Sequence, residues 1–384
     1  MKTRFAIKKV YTGVLFVSFI TLGVCGCTKK GDTSLSSDIT PTNQPTIALD
    51  ITNQPVITNE ITQTPAPTLE PSREGMAKSK LTGLWVKDEV VNQRPIAVML
   101  NNITYANPQS GILDASILYE ALVEGGITRL MGLYEKIEKD SLTANRLGSI
   151  RSARHYFVSF ADEYDAIFLH YGQTKYAQNK IDELGIDTIN GMGGVGVNSF
   201  YRDNAIKAPH NAFTSLEGIN KAIKAGKYRT TYEEDYEGHF QFYEKDTILS
   251  SDIVANEVSL AFSKQSTPVF LYDSGKGIYL RNQYEKPHLD ANTKEQLSFK
   301  NIIIQFVKEW DIDKNGYQTM ELENASGEGY YISNGKKIDI TWEKNESARR
   351  MRYYTLDGQE LMMNAGKTYV AVFPNNRVND VIIE

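Results

Sequence analysis

The chain has 384 residues, 41% hydrophobic and 23% charged, with a formal net charge of −5, 2 cysteines and 5 histidines. This suits a globular protein with a large core and excludes a small disulfide-stapled scaffold. The acidic balance, with no basic arm, argues against nucleic acid as a partner.

The first element is a leader. Lys2, Arg4, Lys8 and Lys9 precede an apolar run from Val10 to Val24, the length of a secretory signal and short for a bilayer span. It ends in "LGVCGC", where Gly26 stands before Cys27 and Val24 before Cys25. A small residue before a cysteine suits lipoprotein processing. Residues 1–26 are therefore expected to be a signal peptide, and Cys27 the lipidated (palmitate-bearing) residue. A plain secretory peptide with incidental cysteines is the bland alternative. Losing the four leader cations takes the formal charge from −5 to −9. The mature chain would be extracytoplasmic, held to the bacterial cell membrane by its lipid. It would have no disulfide, thiolate nucleophile or cysteine metal ligand.

Residues 27–80 read as a disordered tether. They are rich in Thr, Pro, Asn and Gln, with "TNQP" repeated, and bury too little apolar surface to offset ordering entropy. Folded structure is expected from Leu81. "RPIAVMLNN" is a buried strand ending at Asn101 and Asn102. "SILYEALV" and "ITRLMGLYE" flank "EGG", which favours a hairpin containing Arg129. Ser149 is a candidate N-cap for a helix over 150–163, and "AIFLH" is a strand ending at His170. Thr174 is expected to cap a helix that stops at Gly185. Thr214 and Glu217 are spaced as a capping box for a helix ending at Gly226. Residues 81–230 thus read as a layered α/β domain. Residues 231–384, with runs such as "NIIIQFV" and "TYVAVFP" between turn signals, read as a smaller, mainly β domain.

Short motif matches fail on context. "GMGGVG" contains G-x-G-x-x-G at Gly191, Gly193 and Gly196. It follows a poor strand, "DTIN", and precedes no clear helix, so a glycine loop near a site is the better reading. "DIDKNG" lacks the Glu that a calcium loop needs at position 12 and reads as a turn. "SNGK" sits in a hairpin, where Ser and Lys cannot act one helical turn apart. No metal set, cofactor site or complete catalytic motif is expected.

What survives is polar residues at element ends. On a helix from Ile150, Arg151, Arg154 and His155 would share one face. His170 ends a strand, where α/β folds place ligands. Arg202, Asp203, His210 and Asn211 come from the "FYRDNAIKAPHN" loop. Together with Arg129 these side chains could clamp a phosphate, carboxylate or sugar acid. The bland alternative pairs Arg151 and Arg154 with Glu120, Glu124 or Asp162, and makes His155 structural.

"RPIAVMLNN", "DASILYEALVEGGITRLMGLYE", "GSIRSARHYFVSFADEYDAIFLHYG" and "APHNAFTS", followed by "VFLYDSGKGIYLRNQYEKPHLD" and "LDGQELMMNAGKTYVAVFP", resemble the YerB-like bacterial lipoproteins. The resemblance covers nearly all the folded part. It implies a lipid-anchored envelope protein of two domains, both of unknown function. Its polar motif residues fall on Arg129, Arg151, Ser152, Arg154, His170, Arg202, Asp203, Pro209, His210 and Asn211. Two positions depart from it: "HYGQT" stands where small residues are expected, and Lys207 stands where an Arg is usual. The leading expectation is a non-enzymatic envelope protein that binds an anionic or glycan ligand, or a wall-associated partner. The alternatives are a hydrolase or transferase acting on wall polymer, with His170 or His210 as base and Asp203 as its orienter, and a protein-interaction scaffold.

Overall fold

The computed structural model describes residues 72–135, 145–345 and 349–384. The signal peptide, Cys27 and the tether up to residue 71 lie outside the described residues.

Folded structure begins before Leu81. Strand β1 (Met76–Lys78) pairs antiparallel with β2 (Trp85–Lys87). Gly83, at φ +67°, turns the chain between them. Leu81 is fully buried. Ordered structure is therefore already present at Met76, before the Lys80 limit expected for the tether.

Helix α1 (Asp88–Val91) leads into β3 (Ile96–Asn101). Strands β4 (Ile117–Leu122) and β5 (Thr128–Tyr134) form the expected hairpin, turned at Gly125 and Gly126, both at positive φ. After β6 (Leu147–Gly148), the helix expected from Ile150 starts late: α2 is His155–Asp162, with Arg154 extended before it. Strand edges take the backbone groups of residues 149–154. The Asn101 N–H donates to the Ser149 carbonyl at 2.9 Å, the Arg151 N–H to Met99 at 3.0 Å and the Ala153 N–H to Gly172 at 3.0 Å. Tertiary pairing overrides the local helical pattern. Arg151, Arg154 and His155 consequently share no helix face.

Strand β7 (Ile167–His170) is buried, and α3 (Lys175–Leu184) obeys both of its signals. Thr174 Oγ1 accepts the Ala177 N–H at 3.1 Å, and Gly185 stops the helix at φ +62°. "DTIN" does contain a strand, β8 (Thr188–Asn190), parallel to β7. Strands β9 (Phe200–Arg202) and β10 (Ala212–Thr214) pair antiparallel. Helix α4 (Leu216–Gly226) is capped by Ser215, whose Oγ accepts the Gly218 N–H at 3.1 Å. Thr214 cannot cap it, being held in β10 opposite Phe200.

The rest is mainly β. It comprises β11 (Gln241–Phe242), β12 (Glu257–Leu260), β13 (Val269–Asp273), β14 (Ile278–Gln283), β15 (Lys286–Pro287) and β16 (Ser298–Phe299). There follow β17 (Asn301–Val307), β18 (Glu309–Asp311), β19 (Gln318–Met320), β20 (Ala325–Ser333) and β21 (Lys336–Lys344). Last come β22 (Arg352–Thr355), β23 (Met362–Met363), β24 (Thr368–Pro374) and β25 (Val381–Ile383). "DIDKNG" lies at the turn between β18 and β19, and "SNGK" at the turn between β20 and β21.

Ten strands form one mixed sheet in the order β22-β21-β20-β17-β24-β4-β5-β3-β7-β8. β24 lies parallel between β17 and β4, so the sheet runs across the chain boundary expected near residue 230. A smaller sheet, β15-β14-β13-β12-β25 with β16 beside β14, contributes Val258, Phe270 and Tyr279 to one face. There they meet Leu118, Ile302 and Tyr369, with Ile219 of α4 in the same cluster. Helices α2 and α3 cover the other face through Phe157, Phe160 and Ile181. The fold is mixed α/β, with a mainly β C-terminal part.

One acid is buried between the two sheets. Glu120 Oε2 meets Arg281 at 2.6 Å, and both side chains are fully buried. The Tyr369 hydroxyl donates to the same oxygen at 2.9 Å. Oε1 accepts from Thr128 Oγ1 at 2.6 Å and from Asn102 Nδ2 at 3.0 Å. Arg281 also donates to His288 Nδ1, which places that ring's proton on Nε2, 2.6 Å from Gln109 Oε1. Burial, then Arg281, hold His288 well below its ordinary pKa. Arg281→Met strands Glu120 without its counter-charge. Urea unfolding should show a loss of about 3–5 kcal/mol, much of it recovered in the Glu120→Leu/Arg281→Met double variant. An unchanged urea midpoint for Arg281→Met would mean the pair does not join the sheets.

Candidate functional site

The site forms where β3 and β7, parallel neighbours, end side by side. Their last residues are Asn101 and His170. β5 runs the other way and brings Arg129 opposite Asn101. Strand alternation puts Asn101 and Arg129 on the face of Met99 and Met131, the face beneath α2. Arg129 therefore extends an apolar face and is itself buried. The extended segment 149–154 lies across these strand ends, with the Tyr171 N–H donating to the Arg151 carbonyl at 3.0 Å.

The arginines divide into one that is paired and three that are not. Arg154 forks onto Glu124, with Nε 2.7 Å from Oε1. Burial would raise the Glu124 carboxyl, but the Arg154 hydrogen bonds outweigh it and hold the group below its usual range. This is the structural pairing weighed for Arg154, and the fork is occupied. Arg129 donates to the Ser152 carbonyl, and Arg151 to the Pro209 carbonyl at 3.0 Å. Arg202 NH1 donates to Asn211 Oδ1 at 2.7 Å, and its guanidinium lies 4.8 Å from the Tyr171 ring centre. Among the described residues, no carboxylate forms an ion pair with Arg129, Arg151 or Arg202. Burial, then Arg154 and Arg151, pull the Arg129 guanidinium down to about 9. Burial, then Arg154 and Arg202, lower Arg151 in the same way.

The histidines and Asp203 do not make an acid–base pair. His170 Nδ1 donates to the Gly172 carbonyl at 2.9 Å, which leaves Nε2 a bare acceptor, buried and without a partner among the described residues. Burial pulls its pKa down to about 4, so the ring is neutral. His210 Nδ1 is 2.9 Å from Asn101 Nδ2. Burial, then Arg151 and Lys207, lower its pKa. Asp203 Oδ2 takes Arg146 at 2.7 Å, and Oδ1 takes the Ala205 N–H at 2.9 Å. Asp203 thus orients neither histidine: a loop arginine claims its carboxylate first. Asn211 Nδ2 bonds the Asp203 carbonyl at 3.1 Å and ties the loop together. His155 is turned away, with Nε2 2.7 Å from Thr319 Oγ1.

Two features escaped the sequence reading. Amide side chains of Gln173, Gln178 and Asn190 line a cleft of about 620 Å³ under the "GMGGVG" loop. The loop's place beside the site was expected; the amides carry no motif that marks them. A second cavity, of about 380 Å³, holds Arg146, Ser149 and His210. Among the described residues, no group of three or more His, Cys, Asp and Glu stands close enough to hold a metal.

The neutral His170 has a pH consequence. Its folded pKa, about 4, lies below the unfolded value of 6.5. As pH falls, the unfolded chain takes the proton first. The stability contribution is complete above pH 6.5 and drains away between 6.5 and 4, by at most about 1.4 kcal/mol per pH unit. His170→Gln should flatten the fall in melting temperature over that window in differential scanning calorimetry. An unchanged slope would show that His170 takes up its proton alike in both states.

Residues 81–229 match the family described as "Protein of unknown function (DUF3048) N-terminal domain", and residues 258–370 its C-terminal domain. The chain is 30% identical over 306 residues to "Putative lipoprotein YerB" of Bacillus subtilis (strain 168), covering 79% of this chain and 88% of that one. The crystal structure of YerB protein from Bacillus subtilis matches with a TM-score of 0.70 at 28% identity, covering 80% of this chain and 99% of that one. The strand-end arginines and the shared two-sheet frame are therefore features of a chain that belongs to the YerB-like DUF3048 family.

Proposed function

We propose that this chain is a lipid-anchored envelope protein that binds an anionic ligand, such as a charged wall polymer, at Arg129, Arg151 and Arg202. The observation that carries the reading is Arg129, which is buried, has no carboxylate within ion-pair reach among the described residues and is flanked by Arg151 and Arg154, with Glu124, already paired to Arg154, offsetting part of that repulsion. Gathering like charges in a dry place costs stability, and such an arrangement commonly marks a site where an opposite charge binds. Arg151 and Arg202 reach solvent and can make the first contacts. Arg129 would supply field from behind. The relative named as a lipoprotein, together with Gly26-Cys27 at the end of an apolar leader, supports attachment through Cys27.

His170, pulled down to about 4, is a weak base, and Asp203 is already bound to Arg146, so no histidine at this edge has an orienting carboxylate among the described residues; both facts favour binding over acid–base catalysis. Glycerol phosphate oligomers titrated calorimetrically into the full chain in detergent should bind, and more weakly as salt rises. Arg151→Ala and Arg202→Ala should each weaken binding about ten-fold or more, given about 1.5–3 kcal/mol for a charge-assisted hydrogen bond. If no anion binds while Arg151→Ala unfolds the chain, the arginines are structural and the reading fails. Separately, Cys27→Ser should abolish incorporation of labelled palmitate and release the chain from membranes. Unchanged labelling would remove Cys27 from the account.

A further inference from the structure

The amide-lined cleft adjoins the arginines and has a different chemistry. No acid or base lines it among the described residues. Its polar groups form a one-way relay. Asn190 Nδ2 donates to Gln173 Oε1 at 2.9 Å, Gln173 Nε2 to Gln178 Oε1 at 2.5 Å, and Gln178 Nε2 to Asp182 Oδ1 at 2.8 Å. Asn190 Oδ1 is filled by the N–H groups of Gly172 and Met192, each at 3.0 Å. The relay thus fixes three amides in place and uses one N–H of each. The second N–H of each amide has no partner among the described residues. Gln173 and Gln178 each keep one acceptor lone pair as well.

Such a surface both donates and accepts, without charge. Anions need donors alone, and cations need acceptors alone. Hydroxyl groups do both, so a polyol satisfies this lining best. The apolar parts fit the same ligand: Met192 is 70% exposed at the cleft, and the Tyr228 ring forms part of its wall. Both can cover the C–H face of a sugar ring. The glycines keep the loop thin. A side chain at Gly196 would strike the Asn190 backbone at 2.3 Å, and Gly194 sits at φ +61°. A cleft of about 620 Å³ is in the range of ordinary small-ligand sites.

Two contacts join the cleft to the arginines. Ser152, whose carbonyl holds Arg129, has its hydroxyl 3.5 Å from where a Gly172 side chain would begin. Tyr171 lies against Arg202 and against Gly191 of the loop. We propose that the cleft is a sugar subsite: the anion at Arg151 and Arg202 is carried on a glycan, one ring of which lies over the linked amides of Asn190, Gln173 and Gln178. This rests on the anion reading and names the class of ligand that reading leaves open.

The test compares two glycerol phosphate oligomers of equal length, one bare and one glucosylated, titrated into the full chain in detergent. The glucosylated oligomer should bind at least ten-fold tighter. Gln173→Leu should erase that advantage and leave bare-oligomer affinity within two-fold of wild type, whereas Arg151→Ala should weaken both. Gln178→Leu, on the helical wall, should act like Gln173→Leu, and unchanged melting temperatures confirm folding. Equal affinity of the two oligomers for wild type, or equal weakening of both by Gln173→Leu, overturns the subsite. If neither oligomer binds, the anion reading fails first. Saturation-transfer NMR with uncharged glucosylglycerol then decides the cleft alone. A transfer signal with wild type that disappears in Gln173→Leu supports the subsite, and no signal with wild type overturns it.

Discussion

The pair of Glu120 and Arg281 is the contact on which the architecture turns. It lies where β4, in the ten-stranded sheet, faces β14, in the smaller one, and neither side chain reaches water. A buried charge tolerates few arrangements, since each oxygen and each N–H needs a partner at the right place. Here Tyr369, Thr128, Asn102, Gln283 and His288 supply them for both carboxylate oxygens and both terminal guanidinium nitrogens, while the Arg281 Nε–H has none among the described residues. Apolar faces alone would let the sheets slide over each other. This network fits one register.

The same network braces the candidate site from behind. His288 holds Gln109, and Gln109 Nε2 donates to the Asn101 carbonyl at 2.6 Å. The Asn101 side chain reaches His210. The strand end opposite Arg129 is thereby tied through hydrogen bonds to Arg281 in the C-terminal part, and through it to Glu120. Arg129, Arg151 and Ser152 thus stand on a rigid edge, which lowers the ordering cost of any ligand they hold.

How much of this the sequence discloses depends on how local each cause is. Helix α3 is legible at both ends because Thr174 and Gly185 act within a few residues. The β4–β5 hairpin is legible because two glycines sit between two apolar runs. Residues 149–154 mislead because their backbone partners lie on β3 and beyond β7, which a helical spacing count does not see. Arg154 and Glu124 appear among candidate partners, but only the folded hairpin brings them together. Arg281 is 161 residues from Glu120, and nothing near either residue announces the other. Asp203 reads as free for a histidine until the fold places Arg146 against it.

The position of β24 bears on how such a chain is made. It is the second-to-last strand in sequence, yet it lies in the interior of the large sheet, hydrogen-bonded on both edges. Until Thr368–Pro374 has emerged, β4 has no neighbour on that side and its edge is open to foreign strands. Synthesis proceeds from the other end, so the early hairpin must wait for most of the chain. A chain cut short before β24 leaves the sheet that carries the arginines unclosed.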